Sequence, residues 1–146
     1  MTPDIPTLKR RADFLRAARV GRKWVTPGLI LQKRRRADAD AASVAAGVVR
    51  VGFTTSRKVG KAVVRNRVRR RLRAAAREIL PRQAEAGCDY VIIGRSETVT
   101  RPFAALLDDL ATALTCLRRG ESEHGGARRR RSRPSGAATE RPGAAR

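Results

Sequence analysis

The sequence predicts an α+β domain in which one β-sheet packs against helices. Amphipathic helical patterns and short apolar strand patterns mix along the chain without regular βαβ alternation. Hydrophobic residues make up 41% of the 146 residues, which is enough for one small core. Only 3% of the residues are aromatic, so that core must be mostly aliphatic. The predicted order is helix, two or three strands, helix, strand, helix.

The first elements are one helix and a pair of short strands. Residues 1–7 contain two prolines and are predicted to be an extended lead-in. A helix is expected from Leu8 to Val20, and Gly21 suits its C-terminal cap. Strand residues follow from Trp24 to Lys33, with a break at Pro27–Gly28 between a first and a second strand.

Alternation along the strands predicts which residues face the core. Leu29 and Leu31 share one face of the second strand. Residues 34–46 are rich in Arg, Asp and Ala without a strong period, so we predict a loop. Gly47 to Thr55 is predicted to be a strand, and one of its faces carries three apolar residues: Val49, Val51 and Phe53.

The second half begins with the longest helical pattern, from Lys61 to Leu80. Pro81 is expected to help end this helix. Asp89 to Gly94 is a short apolar run typical of a buried strand. The helix carries a narrow apolar stripe at spacings of three or four residues: Val64, Val68, Leu72, Ala75 and Ile79.

A final helix is predicted between a capping Thr100 and Gly120. Beyond Gly120 the chain has no large aliphatic or aromatic residue and holds four consecutive arginines. We therefore expect a folded domain over residues 1–120 and a disordered, Arg-rich tail over residues 121–146. The buried face of the final helix is predicted to contain six residues: Phe103, Leu106, Leu107, Leu110, Leu114 and Leu117.

The charge of the chain narrows the class of its partner. It has 34 Lys and Arg against 13 Asp and Glu, a net charge of +21. Such a surface repels itself and gains stability when a polyanion binds, so nucleic acid is the first candidate and an anionic membrane the second. No uncharged stretch is long enough for a membrane helix, and the first ten residues lack a signal-peptide pattern. We expect a cytoplasmic protein without a membrane partner.

The sequence offers little for catalysis by the chain alone. Cys88 and Cys116 lie in apolar surroundings and are expected to be buried thiols of a reducing compartment. The only histidine, His124, lies in the predicted tail, so no rigidly held imidazole is available as a base. Asp108 and Asp109 are adjacent on a helix and are interpreted as surface charges. We assign no catalytic residue and no metal ligand.

Basic residues concentrate between Arg57 and Arg77. This window holds ten Lys and Arg and no acidic residue. An ordinary solvated helix face mixes charges of both signs, whereas an all-positive face is destabilised unless a polyanion binds it. Since guanidinium groups match phosphate geometry, we predict a nucleic-acid-binding helix. One edge of the helical wheel carries Arg65, Arg69 and Arg73, the opposite edge carries Arg67, and the outer side carries Asn66, Arg70 and Arg77.

This window resembles the signature helix of the bacterial ribonuclease P protein family. Arg65-Asn66-Arg67, followed by Arg69-Arg70, matches the Arg-Asn-Arg motif of that family. The resemblance covers roughly residues 8–117. Three further blocks match in the right order: Arg11 to Phe14, Arg50 to Lys58, and Asp89 to Arg95.

The resemblance implies a fold and an activity. The fold is an αβββαβα sandwich with one mixed sheet and a left-handed crossover through the Arg-Asn-Arg helix, against the usual right-handed rule. Ribonuclease P removes the 5′ leader of precursor tRNA by endonucleolytic cleavage, and in bacteria its RNA subunit is catalytic. The protein docks on that RNA and binds the leader, which broadens substrate specificity. The chain is thus expected to be an accessory subunit that is not catalytic alone.

The partners follow from the same resemblance. The chain is expected to bind the RNA subunit 1:1 and to contact precursor tRNA, and no protein partner is required. Mg²⁺ is expected to be bound chiefly by the RNA. The surface against the catalytic RNA is expected to comprise Arg65, Asn66, Arg67, Arg69, Arg70 and Arg73, joined by Arg57, Lys58 and Lys61.

The leader-binding cleft of the family lies between the first helix and the open face of the sheet. The matching positions here are Phe14, Ile30 and Gln32. Many family members carry a second aromatic one helical turn after Phe14 and another on the strand, where this chain has Ala18 and Gln32. Because base stacking contributes about 1–3 kcal/mol per base, we hypothesise that this chain holds the leader more through arginines and hydrogen bonds.

Two other functional classes remain open. A structural RNA-binding protein, such as a small ribosomal protein, would have similar charge, although the ordered motif blocks argue against it. A DNA-binding protein would place the arginine helix in a major groove, although Gln and Asn base readers are scarce on that helix.

Overall fold

The computed structural model describes residues 5–36 and 47–120. The predicted tail, with His124, and residues 37–46 of the predicted loop lie outside these ranges. The element order confirms the α+β class and the αβββαβα arrangement. The helices and strands are α1 (Arg11–Val20), β1 (Arg22–Val25), β2 (Leu29–Arg35), β3 (Arg50–Thr54), α2 (Ala62–Gln83), β4 (Cys88–Gly94) and α3 (Phe103–Arg118).

The four strands form one mixed sheet in the order β1-β2-β4-β3. β1 pairs with β2 and β2 pairs with β4, both antiparallel, whereas β3 runs parallel to β4. Ile92 in the centre of β4 lies between Leu31 of β2 and Phe53 of β3. Because β3 and β4 are parallel neighbours, α2 must cross over the sheet to connect them.

Val51 defines the hand of this crossover. Its amide donates to the Pro6 carbonyl at 3.0 Å and its carbonyl accepts from the Leu8 amide at 2.9 Å, so both groups point away from β4. Its side chain is buried in the core that includes α2. In a strand that runs upward with the side chain of an L-residue pointing at the viewer, the N–H and C=O groups of that residue point to the right. Seen from α2, the backbone groups of Val51 therefore point right toward Pro6 and Leu8, and β4 lies on the left. The crossover is therefore left-handed, the exception to the usual rule that the resemblance implied.

The main core lies between the sheet and the two long helices. Leu29 and Leu31 are fully buried there, which confirms the predicted alternation along β2. A smaller apolar cluster lies on the opposite face under α1 and contains Leu8, Ala17 and Val91. The main core draws on both α2 and α3: Val68, Leu72, Ala75, Ala76, Leu80, Leu106, Leu110, Ala113, Leu114 and Leu117.

Burial also explains the titration of two groups in this core. Desolvation raises the pKa of Tyr90 to about 12 and raises the pKa of the Cys88 thiol. Cys88 and Cys116 are both buried thiols and neither forms a disulfide, as predicted. A raised pKa disfavours the thiolate, so Cys88 is a packing residue and not a reactive nucleophile.

Several element ends differ from the sequence prediction. α1 begins at Arg11 and not at Leu8, because the Leu8 amide donates a hydrogen bond to the Val51 carbonyl of β3. β2 continues to Arg35, where Arg34 pairs with Asp89 of β4. These residues belong to a strand because the neighbouring strand offers partners to them, which no local pattern shows.

The two long helices also depart from their predicted ends. α2 continues through Pro81 to Gln83, since an exposed proline in the last turn removes only one helical hydrogen bond. Thr100 does not cap α3, whose N-cap is Pro102. No helix among the described residues is long and apolar enough to span a bilayer.

The sequence predicted the wrong exposure for two residues of α3. Asp109 is buried, with a relative exposure of 7%, and is not a surface charge. Its carboxylate accepts from the Arg101 guanidinium at 2.6 Å and from the Gly28 amide at 3.1 Å, which ties α3 to the β1–β2 turn. Phe103 is 37% exposed and lies at the rim of the helix pair.

Candidate RNA interface

The apolar stripe of α2 sets the direction of its arginines. Val68, Leu72 and Ala75 have no measurable exposure and seat the helix on the sheet and on α3. The opposite side of the helix is consequently turned to solvent. The exposed polar residues there are Asn66, Arg67, Arg70, Arg73 and Arg77.

The arginines on the β3 side of α2 are held by neighbouring groups. Arg65 donates to the Gly60 carbonyl at 2.8 Å. Arg69 donates to Thr55 Oγ1 at 3.3 Å and to Asn66 Oδ1 at 3.1 Å. These bonds restrain the side chains before any partner binds, which lowers the entropy cost of ordering them on a ligand.

Arg73 continues the same edge. Its guanidinium carbon lies 5.7 Å from the centre of the Phe53 ring, within the range of a cation–π contact. The predicted row of Arg65, Arg69 and Arg73 is therefore one edge of α2 that follows β3.

The opposite edge of α2 combines exposed and restrained arginines. Arg67 and Arg70 are exposed and have no hydrogen-bond or ion-pair partner within residues 5–36 and 47–120. Arg71 donates from Nε to the Thr98 carbonyl at 3.0 Å and from Nη2 to the Arg101 carbonyl. Arg71, one of the ten basic residues of the window, thus connects α2 to the segment before α3.

The remaining predicted contacts precede α2. Arg57 and Lys58 lie in an exposed 3₁₀ turn, Arg57–Val59, and Lys61 is the exposed N-cap of α2. Gly60 ends the turn with φ of 152°, a conformation that side-chain-bearing residues rarely adopt. Cations at a helix N-terminus are unfavourable next to the positive end of the helix dipole, and an anionic partner relieves that repulsion.

Two acidic residues near the ends of the sheet, Asp89 and Glu85, bond basic side chains outside α2. Asp89 is completely buried and accepts from three arginines: Arg34 at 3.3 Å, Arg36 at 2.8 Å and Arg50 at 2.7 Å. Glu85 accepts from Lys33, and this hydrogen bond lowers the pKa of Glu85. These carboxylates therefore do not pair with the arginines of α2, where no acidic residue precedes Glu78.

A groove of about 460 Å³ lies between α1 and the open face of the sheet. Phe14 and Gln32 line it, as the resemblance implied. Ile30 is not among its lining residues, although it is the β2 residue that pairs with Ile93, which does line the groove. Sequence reasoning missed three residues at the α1 side: Lys9, Arg11 and Leu15.

These missed residues had a detectable signal. Arg11, Leu15 and Ala18 recur at spacings of four and three, which places them on one side of a helix. Leu15 is 44% exposed, so the groove has both an apolar and a basic wall. Only the packing of α1 over the sheet shows that this side of α1 faces Gln32.

The carboxylates of the described residues do not suit a resident divalent cation. No group of three or more His, Cys, Asp or Glu converges within residues 5–36 and 47–120. Asp89 and Asp109, which are buried, already face guanidinium groups. Hard cations need several oxygen ligands in one place, and this arrangement of residues does not supply them.

Residues 3–118 match the family model described as Ribonuclease P. The chain belongs to the ribonuclease P protein family. A ribonuclease P protein component from Paramagnetospirillum magneticum is 54% identical over 114 residues, covering 78% of this chain and 84% of the relative. One from Ruegeria pomeroyi is 51% identical over 111 residues, covering 75% of this chain and 84% of the relative.

Solved structures of ribonuclease P proteins share the fold. The protein from Staphylococcus aureus superimposes with a TM-score of 0.62 at 20% identity, covering 78% of this chain and 96% of that one. The protein from Thermotoga maritima gives a TM-score of 0.59 at 24% identity, covering 73% and 92%. As a member of this family the chain is the protein subunit of ribonuclease P, the accessory subunit of an endoribonuclease that processes tRNA.

Proposed function

We propose that this protein docks on the catalytic RNA through α2 and binds the 5′ leader of precursor tRNA in the groove beside α1. The observation that carries the proposal is the acid-free basic window from Arg57 to Arg77, most of which is turned to solvent. One chain binds one RNA subunit in the cytoplasm, without a further protein partner. Mg²⁺ is bound chiefly by the RNA.

The two edges of α2 support docking on a folded RNA. Arg65, Arg69 and Arg73 form a restrained row along β3, while Arg67 and Arg70 are exposed on the other side. Folded RNA presents phosphates at several angles. A helix with guanidinium groups around much of its surface can therefore contact more than one segment of the RNA backbone.

The groove beside α1 suits a single-stranded segment. Phe14 offers an aromatic edge, Gln32 offers hydrogen-bond groups, and Lys9 and Arg11 supply positive charge for phosphates. The groove lies on the face of the sheet opposite to α2. A substrate leader and the catalytic RNA can therefore be bound at the same time by different surfaces.

Cleavage of precursor tRNA tests the function as a whole. The RNA subunit from the same organism is incubated with precursor tRNA at low Mg²⁺, with and without the full chain. We expect cleavage at the mature 5′ end only when the chain is present. Equal cleavage with and without the chain would contradict the proposed role, and co-purification with ribosomal RNA or binding to duplex DNA alone would favour the other two classes.

The salt dependence of RNA binding tests the docking surface. Each phosphate contact contributes about 0.7–0.9 to the slope of log K against log salt concentration. Replacing Arg65, Arg69 and Arg73 together with Ala should therefore reduce the slope for the RNA subunit by about 2–3. An unchanged slope, in a variant that still unfolds cooperatively, would remove this edge from the interface.

Substrates with and without a leader test the groove. Phe14→Leu keeps an apolar side chain against Gly52 and Leu8 but removes the ring. We expect weaker binding of precursor tRNA by the holoenzyme and unchanged binding of tRNA that lacks the leader. An equal effect on both substrates would assign Phe14 to packing alone.

Truncation after Gly120 tests the domain boundaries. We propose that residues 1–120 form the RNA-binding domain and that residues 121–146 are an accessory, disordered tail. The truncated chain should unfold with the same cooperativity as the full chain and still support cleavage. Loss of cooperative thermal unfolding would show that the tail belongs to the folded domain.

A further inference from the structure

Phe103 is exposed in a place where the sequence predicted a core residue. It begins α3, and 37% of its surface remains accessible to solvent. Only two other large apolar side chains among the described residues are as exposed or more so, Leu15 and Val63. Leu15 belongs to the groove beside α1, whereas Phe103 and Val63 lie near the basic surface of α2.

Phe103 forms one wall of a recess between α2 and the start of α3. The recess has a volume of about 550 Å³ and is open to solvent. Its other residues give it an apolar floor and a basic rim. They are Arg67, Arg70, Arg71, Ala74 and Val99.

The α2 wall of this recess is a single helical stripe. At about 100° per residue, the lining residues Arg67, Arg70 and Ala74 fall within an arc of about 60°. The exposed Val63, one turn before Arg67, continues this stripe outside the recess. The two exposed guanidinium groups of the stripe thus lie between the apolar side chains of Val63 and Ala74. Arg67 and Arg70 have no polar partner in the described parts of the chain, so the N–H groups of both can donate hydrogen bonds to a ligand.

The floor of the recess is held in place. Arg71 donates to the carbonyls of Thr98 and Arg101, which lie in the segment leading into α3. Thr98 is itself fully buried and donates to the Gly28 carbonyl at 2.6 Å. These bonds fix the separation of Phe103 from α2, so the recess exists before a ligand arrives.

An aromatic ring beside two unpartnered guanidinium groups suits one kind of ligand. The ring can stack on a nucleobase, while the guanidinium groups bind the phosphates on either side of it. An apolar peptide would leave Arg67 and Arg70 facing an uncharged partner, and a fully paired duplex would not present a free base face. The chemistry of the recess therefore favours an unpaired nucleotide.

The geometry points to a nucleotide-binding recess between α2 and α3, in which Phe103 stacks on an unpaired base of the catalytic RNA and Arg67 and Arg70 bind its flanking phosphates. This inference rests on the proposed docking of α2 and adds a residue outside the Arg-Asn-Arg window. The recess lies on the face of the sheet that α2 and α3 cover, and the groove beside α1 lies on the opposite face. Its ligand is therefore the RNA subunit and not the leader.

Equilibrium binding of the full chain to the isolated RNA subunit tests the recess. Loss of one stacked base should weaken binding by about 5-fold or more in Phe103→Ala and Phe103→Leu. Phe103→Tyr keeps the ring and should bind within about 2-fold of the wild type, since stacking tolerates a hydroxyl. Thermal unfolding of each variant shows whether the fold is retained, and Phe103→Leu keeps the apolar volume if the Ala variant unfolds.

The outcomes separate this inference from the proposed function. Weaker binding for Leu with retained binding for Tyr supports the recess. Wild-type binding by Phe103→Leu overturns it, and the docking proposal then stands if the Arg65, Arg69 and Arg73 variant still reduces the salt slope. Weaker binding of the leader alone, with RNA-subunit affinity unchanged, also overturns it, because the ligand would then be the substrate.

Discussion

Two groups of arginines in this protein have opposite surroundings. Around Asp89 the side chains of Arg34, Arg36 and Arg50 are no more than 16% exposed and all bond one buried carboxylate. On α2, Arg67 and Arg70 are exposed and have no acidic partner among the described residues. The same residue type thus stabilises the fold in one region and, in the docking proposed above, binds RNA in the other.

The difference shows how the net charge is divided. An excess of 21 positive charges predicts a polyanionic partner but does not indicate which arginines meet it. Buried carboxylates on the sheet attract their own arginines, and those side chains are not available for RNA. The arginines in the first four turns of α2 form no ion pair within their own helix, because no acidic residue precedes Glu78 on it.

The largest expected effect comes from the Asp89 group. Asp89→Asn removes the charge that three mostly buried guanidinium groups share, although Arg50 keeps its ion pair with Asp13 at 3.5 Å. Breaking a buried ion pair in this way costs about 3–5 kcal/mol. Urea-induced unfolding of the full chain measures the loss. Asp108→Asn, at an exposed position, is the matched control and should stay within about 0.5 kcal/mol of the wild type. Equal midpoints for the two variants would show that the Asp89 arginines do not depend on it.

Asp109→Asn should have a smaller effect on stability than Asp89→Asn. It removes the charge opposite one guanidinium, Arg101, and weakens the bond from the Gly28 amide. Because this contact ties α3 to the β1–β2 turn, the variant should unfold at lower urea concentration than Asp108→Asn. A midpoint below that of Asp89→Asn would reverse the ranking of the two buried carboxylates.

Replacing an exposed arginine of α2 should affect RNA binding and leave the fold unchanged. Arg67→Ala should reduce the salt slope for the RNA subunit by about 0.7–0.9 and leave the free energy of unfolding within about 0.5 kcal/mol. Arg82→Ala removes an equal charge from an exposed position on the same helix, where Arg82 pairs with Glu78 at 3.8 Å. We expect a smaller change of slope for Arg82→Ala. Identical slopes for the two variants would mean that net charge, and not position, determines binding.

The smallest effect is a dependence of stability on acid. The hydrogen bond from Lys33 lowers the pKa of Glu85 below its ordinary value of 4.5, so the folded state favours the carboxylate. This contribution is fully present above about pH 5 and is lost as the pH falls through the lowered pKa. The Glu85→Gln variant lacks this contribution to stability. The urea midpoints of the wild type and Glu85→Gln should therefore converge as the pH is lowered. A constant difference between pH 6 and pH 3 would contradict the assignment.

The local pattern of the chain was sufficient for most elements. Alternation predicted that Leu29 and Leu31 face the core. The apolar spacing of α2 predicted three residues of its buried stripe, whereas Val64 and Ile79 of the predicted stripe are only half-buried; the three are Val68, Leu72 and Ala75. Both predictions rest on periodicity, which a single segment carries by itself. Phe103 has the correct spacing for the core of α3, but its position at the first residue of the helix places it beyond the end of the facing core.

Long-range partners account for the errors. Asp109 looks like a surface charge until Arg101 and the Gly28 amide, 81 residues away in the chain, are brought to it. Arg34 and Arg35 look like loop residues until β4 offers them a neighbouring strand. Such contacts depend on the order of strands in the sheet, which no local period encodes.

The sequence alone determined the class of the fold, the order of its elements, the polyanionic partner and the Arg-Asn-Arg helix that identifies the family. Periodicity and charge are properties of segments, so they can be read without a fold. The tertiary structure decided which arginines pair with buried carboxylates and which stay exposed, that Phe14 and Gln32 line one groove, and that Phe103 faces Arg67 and Arg70 across a recess. These are relations between residues far apart in the chain, and only the packing of α1, α2 and α3 on the sheet brings them together.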